Sequence, residues 1–211
     1  MAQNIYAPLD DLEKEFETLL PSHRIAFAAC VCERMFPTYT AFYRMENWGN
    51  PSLLRSALDE IWQIAGGTPV DAARISQLIE VCESEDVIPD MDDFGCARYG
   101  GEAMFAACAI LHTLDACPDP SPSHIMKAVQ IAFDTIDSAV YAEYYYSDNF
   151  PENIDEILDK EVPSHPWMIR ELSKQREDLE MLKNASQLDR EFLERLRNSS
   201  SSDGKSLIDA G

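Results

Sequence analysis

Four histidines (His23, His112, His124 and His165) and six cysteines (Cys30, Cys32, Cys82, Cys96, Cys108 and Cys117) are the residues of this chain that most readily bind metals or act as nucleophiles. Their spacing argues against both roles. Carboxylate di-metal bundles set Glu-x-x-His pairs on facing helices, and that pattern does not occur here. No Cys-x-x-Cys and no zinc-type His spacing is present. Cys30 and Cys32 lie roughly 200° apart around a helix, so they cannot share one ligand. Cys32 precedes Glu33-Arg34, and a neighbouring guanidinium can lower a thiol pKa. No histidine stands at a nearby spacing to act as base, so a buried structural cysteine is expected, as is common in a reducing compartment. Asp90, Asp92 and Asp93 resemble a calcium loop only loosely, because the required glycine and terminal glutamate are missing. Gly100-Gly101 is followed by no Lys-Ser/Thr, so it is no phosphate cradle. No metal and no cofactor is expected.

Two groups remain. Glu33, Arg34, Asp59, Trp62, Asp92, Asp93 and Tyr99 form a candidate motif or pocket. Convergence of Glu33, Asp59 and Asp92 would suit an enzyme acting on a small cationic or metal-bound substrate. Tyr141, Tyr144, Tyr145 and Tyr146 form a candidate partner surface, since tyrosine is enriched at interfaces; their structural reading is packing at a helix end. The charge balance bears on both. Seventeen basic against thirty-eight acidic residues give −21 and a pI near 4.3. Nucleic-acid binding needs a basic footprint, and an anionic membrane repels such a chain. High charge also serves solubility, and an acidic face suits a basic protein partner. Without a nucleophile–base spacing, a non-enzymatic interaction or adaptor module for a basic partner is favoured over the enzyme. A homodimer is compatible with either reading.

Helices must position these groups. The run Ile25-Ala-Phe-Ala-Ala-Cys-Val-Cys32 is apolar without a break, and a helix apolar all round is buried by others. Residues 103–111 are a second such run. Amphipathic spacing predicts further helices over 9–20, 51–65, 122–146 and 166–196. The expected starts are Ser22, Asn50-Pro51, Thr68-Pro69, Ser121-Pro122 and Ser164-His165-Pro166. Ile169, Leu172, Leu179 and Leu182 make a thin apolar stripe in the last region. Residues 80–93 hold seven acids and no base. Strand signals are absent. The expected fold is all-α: one bundle-like domain of six to eight helices over residues 1–197, then a disordered Ser-rich tail over 198–211. The chain's start lacks a basic and apolar leader, and no apolar run reaches the ~20 residues of a membrane span. A cytoplasmic location is expected.

Phe27-Ala-Ala-Cys-Val-Cys-Glu-Arg-Met-Phe-Pro-Thr-Tyr39 and Leu58-Asp-Glu-Ile-Trp62 resemble the N-terminal half of the YjaG-like family, a bacterial group also called domain of unknown function 416. Ile88-Pro89, Asp92-Asp93-Phe94 and Tyr99-Gly100 resemble its middle segment. The resemblance spans about 22–197. It implies an all-α bacterial protein with no assigned activity, and it carries no catalytic residues over.

Pro37 raises one last expectation. A proline cannot donate to the carbonyl four residues back, here that of Glu33. The chain is expected to bend, with one helix ending near Met35 and another starting at Pro37. Arg34 would then face the outgoing C-terminus, and Glu33 would accept from Thr38 and Tyr39 amides. Adjacent helix residues do not face one another, so the two should not pair.

Overall fold

A computed structural model describes residues 7–83, 86–95, 97–147, 150–201 and 204–209; Cys96 lies outside them. Among the described residues there are ten α-helices and no strand. They are α1 (Ala7–Glu17), α2 (Pro21–Glu46), α3 (Pro51–Ala65), α4 (Ala72–Cys82), α5 (Met91–Phe94), α6 (Gly100–Ala116), α7 (Pro122–Tyr145), α8 (Ile154–Glu161), α9 (Pro166–Asn184) and α10 (Arg190–Ser200). The fold is a single all-α domain. Ten helices exceed the expected six to eight because short local caps create extra ones. Asp90 accepts from the Asp92 amide to start α5, and Asp189 accepts from Phe192 to start α10 after a break.

The unbroken apolar run of α2 is buried from Ile25 through Met35. It is covered by α3, α6, α7, α9 and α10, which is why no face of it needs polar side chains. The second apolar helix, α6, packs on α2, α7, α3 and α4. Both expected buried helices therefore form the centre, and alanines on each let neighbouring backbones approach.

Pro37 does not divide α2, which continues to Glu46. An interior proline costs a helix about 3 kcal/mol. The turn beyond it is fixed by packing: Tyr39 and Phe42 are fully buried, and the Tyr39 hydroxyl donates to the Val87 carbonyl at 2.6 Å. Burying such rings stabilises by about 1.5–3 kcal/mol each, enough to hold the helix through the proline. Of the rings on this stretch of α2, Tyr43 is exposed.

Other starts differ in detail. Asn50 caps α3 as expected, accepting from Leu53, and Pro122 and Pro166 open α7 and α9. Ser22 lies inside α2, whose first residue is Pro21. α4 begins at Ala72, capped by Asp71, because the Asp71 carboxylate reaches the Ala73 and Arg74 amides. The serines after 197 misled: α10 runs on to Ser200, and Leu207 is buried. Arg170 donates to the carbonyls of Ser206, Leu207 and Asp209, which docks residues 206–209 on α9.

Gly100 brings α5 against α6. A Cβ there would stand 2.2 Å from the Phe94 carbonyl oxygen, so no larger residue fits without moving backbone.

Candidate functional site

Glu33 and Arg34 leave α2 in different directions, since adjacent helix residues lie about 100° apart. Glu33 meets α3 and α10. Its carboxylate accepts from Arg55 Nη1 and Nη2, both at 2.8 Å, and from Trp62 Nε1 at 2.8 Å. Arg197 Nε lies 2.9 Å from the same carboxylate. Asp59 closes the group, 3.0 Å from Arg55 Nε and 2.5 Å from Arg197 Nη2. Two carboxylates face two guanidiniums, so the cluster is neutral, and both Glu33 oxygens accept. The Arg55 guanidinium also covers the Phe36 ring at 5.1 Å.

Arg34 turns to α9. It forms a bidentate pair with Glu171 at 2.7 and 2.8 Å and donates to Asp178 at 2.7 Å. All three are at most 4% exposed. Burial opposes the Arg34 charge, and Glu171 and Asp178 more than offset it, holding its pKa above the ordinary value. Gln175 donates to Glu171 at 2.8 Å, and Lys174 lies 3.1 Å from Asp178. The inward face of α9 is therefore Met168, Glu171, Gln175, Asp178, Leu179 and Leu182. Ile169, assigned to the apolar stripe from its spacing, is exposed; the pull of a buried Arg34 turns the carboxylates inward instead. The elbow roles are overturned as well. Arg34 does not complement a helix end, and Glu33 does not accept from Thr38 or Tyr39, because the helix never ends there.

Of the candidate motif, Glu33, Asp59 and Trp62 come together. Arg34 belongs to a separate cluster. Asp92 and Asp93 are exposed on α5 and do not join the Glu33 group. The cysteine reading as buried structure fits Cys32, whose thiol burial pushes up to about 12 beside the Thr113 hydroxyl. The histidines fall in separate places: His23 is buried 3.1 Å from the Ala185 carbonyl, and His165 caps α9.

Tyr99 joins the other candidate group. It precedes α6 in the left-handed conformation at φ 67°, unusual for a bulky residue. With Tyr141, Tyr145, Tyr146 and Trp167 it lines a groove of about 870 Å³ between the start of α6 and the end of α7. Residues 208–209 and Met91 close its sides. Tyr141, Tyr145, Tyr146 and Phe150 are exposed and pack ring against ring at 5.2–6.2 Å. Tyr144 is turned away and donates to Glu161. Inside the groove stands Glu102, whose carboxyl burial raises above the ordinary glutamate range. Its own amide bonds back to it. The Arg98 guanidinium lies 4.9 Å over the Tyr99 ring.

Sequence reasoning missed Arg55, Arg197, Glu171, Asp178, Glu102 and Trp167. Arg55 and Asp59 stood at i, i+4, and Glu171, Lys174, Gln175 and Asp178 followed one helical face. Nothing local marked which polar face would be buried.

Fold and geometry define an all-α domain with internally neutralised charge clusters and an aromatic groove. The chain belongs to the family described as "Protein of unknown function (DUF416)", whose model matches residues 11–209. It is 27% identical over 177 residues to the uncharacterized protein YjaG of Escherichia coli strain K12, covering 84% of each chain. The Salmonella typhimurium YjaG protein is 26% identical with the same coverage. A crystal structure of a DUF416 family protein from Shewanella baltica superposes with TM-score 0.78 at 27% identity, covering 93% of this chain and 96% of that one. The resemblance seen in the sequence therefore holds and extends past both expected ends.

Proposed function

We propose that this is a non-enzymatic interaction module of the cytoplasm that docks a basic segment of a partner protein on its tyrosine-rimmed groove. The carrying observation is the exposed set Tyr141, Tyr145, Tyr146 and Phe150, packed on one another around the groove. Exposed aromatics grouped on an otherwise polar surface mark interaction sites. A net charge of −21 favours a basic partner over nucleic acid or an anionic membrane. No helix among the described residues is long and apolar enough to cross a membrane. Against an enzyme with a carboxylate-lined pocket stands the engagement of Glu33 and Asp59 by Arg55 and Arg197. Those carboxylates are neutralised by arginines of the same chain and tie α2, α3 and α10 together.

Affinity capture with wild type and the Tyr145→Ser/Tyr146→Ser variant tests the reading. Basic proteins retained by wild type should be lost with the variant and released between about 0.05 and 0.5 M salt, as screened charges require. Identical captured sets for both proteins, or retention indifferent to salt, would reject it.

A further inference from the structure

Most ionised groups inside this protein are matched, but Glu102 is not. It sits in the first turn of α6 with part of its surface covered, and among the described residues no cation pairs with it. The groove around it carries three carboxylates, Glu102, Glu143 and Asp209, against one guanidinium, Arg98. Its walls are the rings of Tyr99, Tyr141, Tyr145 and Trp167. We propose that this groove is a subsite for one guanidinium, the side chain of an arginine in a partner's basic segment, which stacks on the tyrosine and tryptophan faces and pairs with Glu102. The inference rests on the interaction-module reading and names its anchor.

Three observations select that occupant. An anionic group would face a net excess of two negative charges in the lining, three carboxylates less one guanidinium. A wholly apolar group would cover Glu102 further without a partner, which is costly for a carboxylate. A cation gains from both the aromatic faces and the carboxylate. The protein already shows the geometry on the groove's own rim, where Arg98 lies over Tyr99 at 4.9 Å. Arginine is preferred to lysine because its planar fork stacks on a ring while donating to a carboxylate.

The test is nuclear magnetic resonance titration with N-acetyl-arginine amide and its citrulline counterpart, which has nearly the same shape and no charge. The arginine amide should shift the Trp167 indole N–H and the amides of residues 99–102 in a saturable way. The citrulline amide should bind at least about fivefold more weakly, and so should the arginine amide to Glu102→Gln and to Tyr145→Leu. Glu180→Gln, the same charge change outside the groove, should leave Kd within about twofold. Equal affinity for citrulline, or unchanged affinity in Glu102→Gln, would overturn the site. Loss of tyrosine-dependent capture while the arginine amide still binds would remove the adaptor reading and support the site. Capture that persists while Glu102→Gln binds like wild type would sink the site and spare the adaptor.

Discussion

Arg34 and Glu33 carry opposite charges and similar burial, yet their replacement should have different consequences. Arg34 is the shared partner of Glu171 and Asp178, which are 1% and 0% exposed. Removing one side of a buried ion pair strands the other, at about 3–5 kcal/mol. Arg34→Met should therefore lose that much in chemical unfolding. Glu33→Gln keeps an acceptor for Trp62 and Arg55, and its two arginines are 26% and 36% exposed, so water shares the unbalanced charge. Its loss should be about 1–3 kcal/mol. Equal losses for both would mean the Arg34 cluster is wetter than its geometry implies. Glu102 should behave oppositely. Burial raises its carboxyl above the ordinary range near about 4.3. The folded protein then binds that proton more tightly than the unfolded chain, so its stability falls as pH rises through the raised value. Arg98, Glu143 and Asp209 line the same groove and are common to both proteins. Glu102→Gln should melt higher than wild type at pH 7, with the difference vanishing below about pH 4. Identical melting at pH 7 would show that Glu102 is not held against its own ionisation.

At the level of elements, one side of the groove depends on how closely α5 approaches α6. Gly100 permits that approach, because the Phe94 carbonyl occupies the space a Cβ needs. Phe94 packs edge-on against Phe42 of α2, with ring centroids 5.3 Å apart, and against Trp48, so α5 cannot retreat cheaply. Gly100→Ala should cost about 1–3 kcal/mol as an overpacked contact. It should also speed amide exchange in residues 91–95, measured by hydrogen exchange. A variant as stable as wild type with unchanged exchange would show that α5 yields freely. The same logic explains α2. A proline is tolerated at position 37 because Tyr39 and Phe42, one turn on, are locked by tertiary contacts. Local breaker signals lose to packing where the following turn is buried.

Over the whole molecule, charge is sorted by depth. The half-buried cluster of Arg55 and Arg197 with Glu33 and Asp59 and the buried one of Arg34 and Lys174 with Glu171 and Asp178 are both balanced. The excess that makes −21 is therefore carried mainly by the surface, where water and salt screen it. Composition, periodicity and the absence of strand signals were enough to determine an all-α fold and its two buried helices, because an unbroken apolar run can only be satisfied by burial on every side. The quoted motifs were enough to indicate the family. Helix starts at Asn50, Pro122 and Pro166 were legible for the same local reason, a cap or a proline acting within one turn. The partners of Glu33 and Arg34 were not legible. They come from helices more than a hundred residues away in the case of Arg197, Glu171 and Asp178, and a charged residue's spacing records only that it lies on a face, not that the face turns inward. Tyr99 and Tyr145 likewise share a groove because α6 and α7 pack side by side, which sets the start of one helix beside the end of the other. Sequence sets what each segment must bury; the tertiary structure decides which polar groups are buried with it, because that depends on the charges packed opposite.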